Sequence, residues 1–233
     1  MEKVAVAEAI HASTNAPVNY FDAPATLLDP PNRYWDGGIT GLNNPLVAAV
    51  VEAVTAGQNP RDIVALSLGT GTVALPLAEP GEPQSVFTRP RVDQSLVQDL
   101  RKLATSVLDD PPDTATFIAH VMTGGLDGAP PATISRVVRM SPLISPVGVP
   151  GHWNAPKGVS PDQFQFLVDL DMDAVQPGQV AAISSFAGLW LADGTPNQPI
   201  RMDCDTLCCE IGYASYREAE AAWRILQKNS ETT

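Results

Sequence analysis

Asp62-Ile63-Val64-Ala65-Leu66-Ser67-Leu68-Gly69-Thr70-Gly71 decides the fold class. Six residues from Ile63 to Leu68 form a nearly continuous apolar run between turn-forming residues. A strand that reads apolar on both faces belongs inside a parallel sheet covered by helices. Gly69-Thr70-Gly71 then supplies the backbone freedom for a tight turn at the strand end. A phosphate-loop frame, G-x-x-x-x-G-K-[ST], is not present there.

On the N-terminal side, Leu46 to Ala56 reads as a helix that ends at Gly57. Asn43 or Asn44 serves as its cap and Pro45 occupies its first turn. Lys3 to Ala12 reads as a further helix, and Tyr34-Trp35 as the end of a short strand. Asp22 to Asn32 is rich in Pro, Asp and Asn and reads as loop. On the C-terminal side, helices are expected over Leu96 to Leu108, Asp113 to Met122, Asp162 to Leu170, Val180 to Leu191 and Tyr216 to Gln227. A strand is expected over Ile134 to Met140. Pro76 to Arg91 and Pro142 to Pro161 read as irregular. The pattern is α/β.

The chain has 233 residues, 44% hydrophobic and 17% charged, with a net charge of −12. That composition suits a folded globular chain and argues against disorder. The acidity argues against nucleic acid as a partner, since phosphate binding needs clustered Lys and Arg. Cys204, Cys208 and Cys209 are an odd set within six residues, which argues against a disulfide framework. No histidine lies near them to complete a zinc site, so they read as reduced structural thiols. His11, His120 and His152 have no metal-ligand spacing. Trp153, Trp190 and Trp223 read as core or interface residues. No segment reaches the ~20 apolar residues of a membrane-spanning helix. No secretory leader is evident at Met1 to Ala5, and a cytoplasmic location is expected.

Four short motifs stand in order. They are Ala12-Ser13-Thr14-Asn15-Ala16-Pro17-Val18-Asn19-Tyr20-Phe21, Tyr34-Trp35-Asp36-Gly37-Gly38, Asn43-Asn44-Pro45, and Ser67-Leu68-Gly69-Thr70-Gly71. Asp-Gly pairs alone are common in turns. The combined order and spacing resembles the second half of the patatin-like phospholipase domain. The likeness is specific from about Val4 to Thr72 and looser to about Val175, where Arg139-Met140-Ser141-Pro142-Leu143 is similar to a late family element.

The resemblance implies the C-terminal part of a three-layer α/β/α sandwich with a mainly parallel sheet. Residues 1–175 would form that part, and residues 176–233 a helical extension packed on the same domain. It implies an acyl hydrolase with a Ser–Asp dyad and no metal or cofactor. Asp36 would be the general base that takes a serine proton and returns it to the leaving alcohol. Gly37, Gly38, Asn43, Asn44, Pro45, Ser67, Gly69, Thr70 and Gly71 would be motif residues near that site. The substrate would be a phospholipid or another acyl ester.

The sequence departs from the family in two respects. No serine stands in a G-x-S-x-G frame, and the Gly-rich oxyanion loop is not found. Ser67 lacks the first glycine, Ser160 is followed by Pro161, and Ser184 and Ser185 fall in an expected helix. Both motifs precede the aspartate in the family's order, so the nucleophile-bearing half is expected outside these residues. Without it the Ile63–Leu68 strand would keep an exposed edge, and association with that half or with itself is expected. The alternative is a non-catalytic, truncated or degenerate patatin-like module with a binding or regulatory role.

Overall fold

A computed structural model describes residues 4–16, 21–28, 30–81, 83, 85–89, 114–126, 135–170 and 174–230. The helix expected over Leu96 to Leu108 lies outside the described residues.

The core is a pair of parallel strands, β3 (Ala65–Leu68) and β5 (Val137–Met140), in register from Ala65 opposite Val137 to Leu68 opposite Met140. Each strand breaks for a few residues and resumes. Thr72–Val73 (β4) pairs in parallel with Leu143–Ile144 (β6). The break is bridged by backbone hydrogen bonds, Gly69 N to Met140 O at 3.0 Å and Thr72 N to Pro142 O at 3.1 Å.

Every residue of β5 is buried, which places helices on both faces. Residues alternate across a strand, so Val137 and Arg139 face one way and Val138 and Met140 the other. On the first face, Val137 packs with Leu46 and Val50 of α2 (Leu46–Thr55) and with Ala119 of α3 (residues 114–122). Ile200 and Ile211 complete that cluster. On the second face, Val138 and Met140 pack with Ala219 of α6 (Tyr216–Ser230), flanked by Trp190, Tyr216 and Trp223. The rings of Trp190 and Tyr216 meet edge-on at a centroid distance of 4.7 Å and an interplanar angle of 65°. Residues beyond 176 therefore belong to the same core as the strands.

Around this centre stand α1 (Val6–Ser13), α4 (Pro161–Val168) and α5 (Pro177–Leu191). Helix α4 starts where a capping box forms, with Ser160 Oγ accepting from Gln163 N and Gln163 Oε1 accepting from Ser160 N. Three antiparallel hairpins complete the elements: β1 (Ala25–Leu27) with β2 (Asn32–Tyr34), β7 (Val147–Val149) with β8 (His152–Asn154), and β9 (Arg201–Met202) with β10 (Cys209–Ile211).

Several elements differ from the sequence reading. Strand β3 is shorter at its start, beginning at Ala65, and Pro60–Asp62 before it forms a 3-10 turn under an Asn59 cap. Ala25–Leu27 is strand where loop was expected, and β6, β7 and β8 occupy the stretch read as irregular. His152 lies in β8 rather than a loop. The sheet expectation holds only coarsely: the fold is α/β, but the described strands form two parallel and three antiparallel two-stranded pairs. Among the described residues β3 pairs with β5 alone. Leu68 at its end is 71% exposed, as are Val6 (76%) and Ile10 (58%) on α1.

Candidate functional site

Asp36 heads the 3-10 turn Gly37–Thr40, and its Oδ1 accepts from Gly38 N at 2.8 Å. The turn closes through Leu42 N to Gly37 O at 2.9 Å and Gly41 N to Gly38 O at 3.2 Å. Gly41 has a φ of 79°, a left-handed value that favours glycine. Gly38 is a glycine for want of space. A Cβ there would stand 2.5 Å from Asn43 Oδ1 and 3.2 Å from Asp36 Oδ1. Asp36 and Asn43 thus bracket Gly38 from either side.

Upstream, Asp36 N donates to Asn15 O at 3.1 Å. The buried Asn15 side chain donates to Ala23 O at 3.0 Å and Tyr34 O at 3.3 Å, locking the first motif to the strand that leads into Asp36. As a whole residue Asp36 is half-buried.

Downstream, Asn44 is buried and joins three elements. Its Oδ1 accepts from Leu46 N at 3.3 Å at the start of α2, and from Ser67 Oγ of β3 at 3.1 Å. Its Nδ2 donates to Thr116 Oγ1 of α3 at 2.7 Å. Ser67 Oγ in turn accepts from Arg139 Nη1 of β5 at 2.7 Å. Arg139 also donates from Nε and Nη2 to Gln198 Oε1 at 3.3 and 3.1 Å, and Thr72 Oγ1 donates to that same oxygen at 3.2 Å. The guanidinium lies against Gly69, where any Cβ would collide with it and stand 2.5 Å from Ser141 Oγ.

The structure therefore joins most of the motif residues in one connected set. Asp36 and Asn43 flank Gly38, Asn44 bonds Ser67 directly, and Arg139 links Ser67 to Gly69. Pro45 leads into α2, and Gly37 is held by Leu42, with Leu42 Cβ 3.1 Å from where its own Cβ would stand. Thr70 is exposed, and Gly71 adopts a φ of 117° beside Pro142. Sequence reading missed the hub roles of Arg139 and Gln198, whose partners lie 72 and 59 positions apart along the chain. Only the placement of an arginine inside an otherwise apolar strand pointed to it.

A cavity of about 780 Å³ opens beside β4, with Thr72, Val73, Leu75, Leu143, Gln198 and Ile200 among its walls. That volume lies within the ~300–1,000 Å³ usual for small-molecule sites. Thr72 and Gln198 belong both to this wall and to the polar set, whereas Asp36 is not part of the wall.

Two other polar features lie elsewhere. His120 of α3 is buried, with Nδ1 2.8 Å from Ser135 Oγ, and that oxygen also accepts from Val137 N at 3.0 Å. Burial holds the imidazole below its ordinary pKa, against a smaller opposite effect of the Gly125 backbone. This pair sits at the start of β5, the end opposite Met140. Cys204 and Cys208 are exposed, Cys209 is half-buried, and burial with the nearby Glu218 raises the Cys209 thiol pKa. Among the described residues no three His, Cys, Asp or Glu side chains group as metal ligands. Among the described residues no helix is long and apolar enough to cross a membrane.

No family model, no curated protein and no solved structure matches the chain.

Proposed function

We propose that this chain is the aspartate-bearing portion of a patatin-like lipid acyl hydrolase, with Asp36 as the general base of a serine–aspartate dyad. The carrying observation is the setting of the Asp36 carboxylate. Asp36 is a half-buried residue at the head of a glycine turn, and its Oδ1 accepts from Gly38 N. Gly37 and Gly38 place no side chain over it, so Oδ2 is left to take a hydroxyl proton. The serine would come from outside these residues, since none here stands in a G-x-S-x-G frame. It would attack an ester carbonyl while Asp36 takes its proton, and the proton would pass to the departing alcohol. The second reading, a non-catalytic patatin-like module, is favoured by one fact: Asp36 already caps its own turn, which gives the carboxylate a structural use.

The test joins the chain to the polypeptide encoded immediately upstream and follows hydrolysis of a p-nitrophenyl acyl ester. Turnover by the joined protein, lost by at least about 100-fold on Asp36→Asn, supports the dyad. An Asp36→Asn protein of unchanged rate removes Asp36 from the chemistry. An upstream sequence without a framed serine favours the non-catalytic reading.

A further inference from the structure

We propose that Arg139 is a positioning residue for Asp36, acting through Ser67 and Asn44; this rests on the reading of Asp36 as the base. The relay has a fixed direction. A guanidinium can only donate, so Ser67 Oγ must accept from Arg139 Nη1 at 2.7 Å. That leaves the single hydroxyl proton of Ser67 for Asn44 Oδ1 at 3.1 Å. The Asn44 amide is thereby oriented, with Oδ1 toward Ser67 and Leu46 N and Nδ2 toward Thr116 Oγ1. Asn43, its chain neighbour, fills with Oδ1 the space a Gly38 Cβ would need, and the Gly38 N–H donates to Asp36 Oδ1.

Arginine supplies the strand with donors that an apolar residue could not. Arg139 is 7% exposed in a strand whose other members are Val137, Val138 and Met140. A buried cation costs several kcal/mol in lost hydration, which hydrogen bonds to Ser67 and Gln198 help to offset. An apolar side chain would fill the space yet take from Ser67 Oγ the donor that directs its single proton to Asn44. Gly69 fits the same account, because its missing Cβ is what lets the guanidinium lie across the strand end.

Amide hydrogen exchange on the chain as it stands tests this directly. Arg139→Gln should accelerate exchange at Gly38, Leu42 and Leu46 by about tenfold relative to α6 amides. Ser67→Ala, which spares the cation, should do the same. Arg139→Lys, which keeps a donor and the charge, should recover part of the protection. Acceleration by one common factor throughout, or none in the Asp36 loop, overturns the proposal. In the joined enzyme, Arg139→Gln should lower kcat by up to about 100-fold with KM little changed. An equal rise in KM with kcat intact also overturns it. Failure of the dyad reading shows separately, as an Asp36→Asn enzyme of unchanged rate beside a locally loosened Arg139→Gln loop.

Discussion

The side-chain amide of Asn197 donates to the backbone carbonyl of Arg139 at 3.0 Å, across 58 positions of sequence. The same nitrogen reaches Gln198 O at 3.1 Å and Tyr213 O at 3.0 Å, and Asn197 Oδ1 accepts from Ser141 N at 3.1 Å. Asn197 thus stands where a third strand would satisfy the backbone of the interrupted β5–β6 run. It is 1% exposed, so water cannot replace what it provides.

Asn197→Ala should therefore lower the unfolding free energy by about 2–4 kcal/mol, since several buried backbone groups lose their partner at once. Asn197→Asp should cost at least as much, because an acceptor would then face three carbonyl oxygens. Urea denaturation of the three proteins measures both. A cost below about 0.5 kcal/mol, the range of ordinary surface substitutions, would show that the knot is not a stabilising feature.

Two glycines should respond in opposite directions. Gly69→Ala places a methyl into the Arg139 guanidinium and Ser141 Oγ, and overpacking of that kind costs about 1–3 kcal/mol. Gly188 lies inside α5 with open space where its Cβ would be. Gly188→Ala should stabilise the protein by about 0.5–1 kcal/mol by removing the entropy cost of a helical glycine. Thermal melts of the two variants against the parent decide the pair of signs.

These two glycines also show what the sequence made legible. Strand β3 was readable because an apolar run bounded by Asp62 and Gly69 has few other folds open to it. Helix α4 was legible as the stretch from Asp162 to Leu170, but its Ser160–Gln163 capping box was not read from the sequence. The hairpins β7–β8 and β9–β10 did not, because two- and three-residue strands among Pro, Gly and Asp carry no alternation long enough to see. Asp36 and Asn44 were legible as motif residues. The partners of Asn44 were not, since Ser67 and, behind it, Arg139 and Gln198 lie far along the chain, and a long-range polar contact leaves no local pattern.

Stability should depend on pH through His120. In the folded state burial lowers the pKa of the imidazole. The unfolded chain titrates near the ordinary value of about 6.5. Above that value neither state takes up a proton, and the full stability is present. As pH falls below about 6.5 the unfolded state gains protons first, so stability declines until the lowered folded pKa is reached. Urea midpoints measured between about pH 7.5 and 5.5 should fall in the parent and fall less in His120→Gln. Equal slopes in both proteins would remove His120 from the pH response.

The open side of β3 leads to the last prediction. Parallel strands are found covered on both faces and continued at their edges, and a two-stranded sheet alone is marginal in water. Here β3 pairs with β5 alone among the described residues, while Leu68, Val6 and Ile10 are largely exposed. The chain on its own should sediment at micromolar concentration as species heavier than its 24.7 kDa, despite the mutual repulsion of a net charge of −12. Leu68→Lys introduces a charge at the strand end, which blocks edge pairing, and should shift the distribution toward the single chain. Val6→Lys with Ile10→Lys should do so only if α1 shares the contact, which separates association at the strand edge from association through the helix. A parent chain that sediments as a 24.7 kDa monomer and melts in one sharp, reversible transition would mean that β3 needs no neighbour beyond β5.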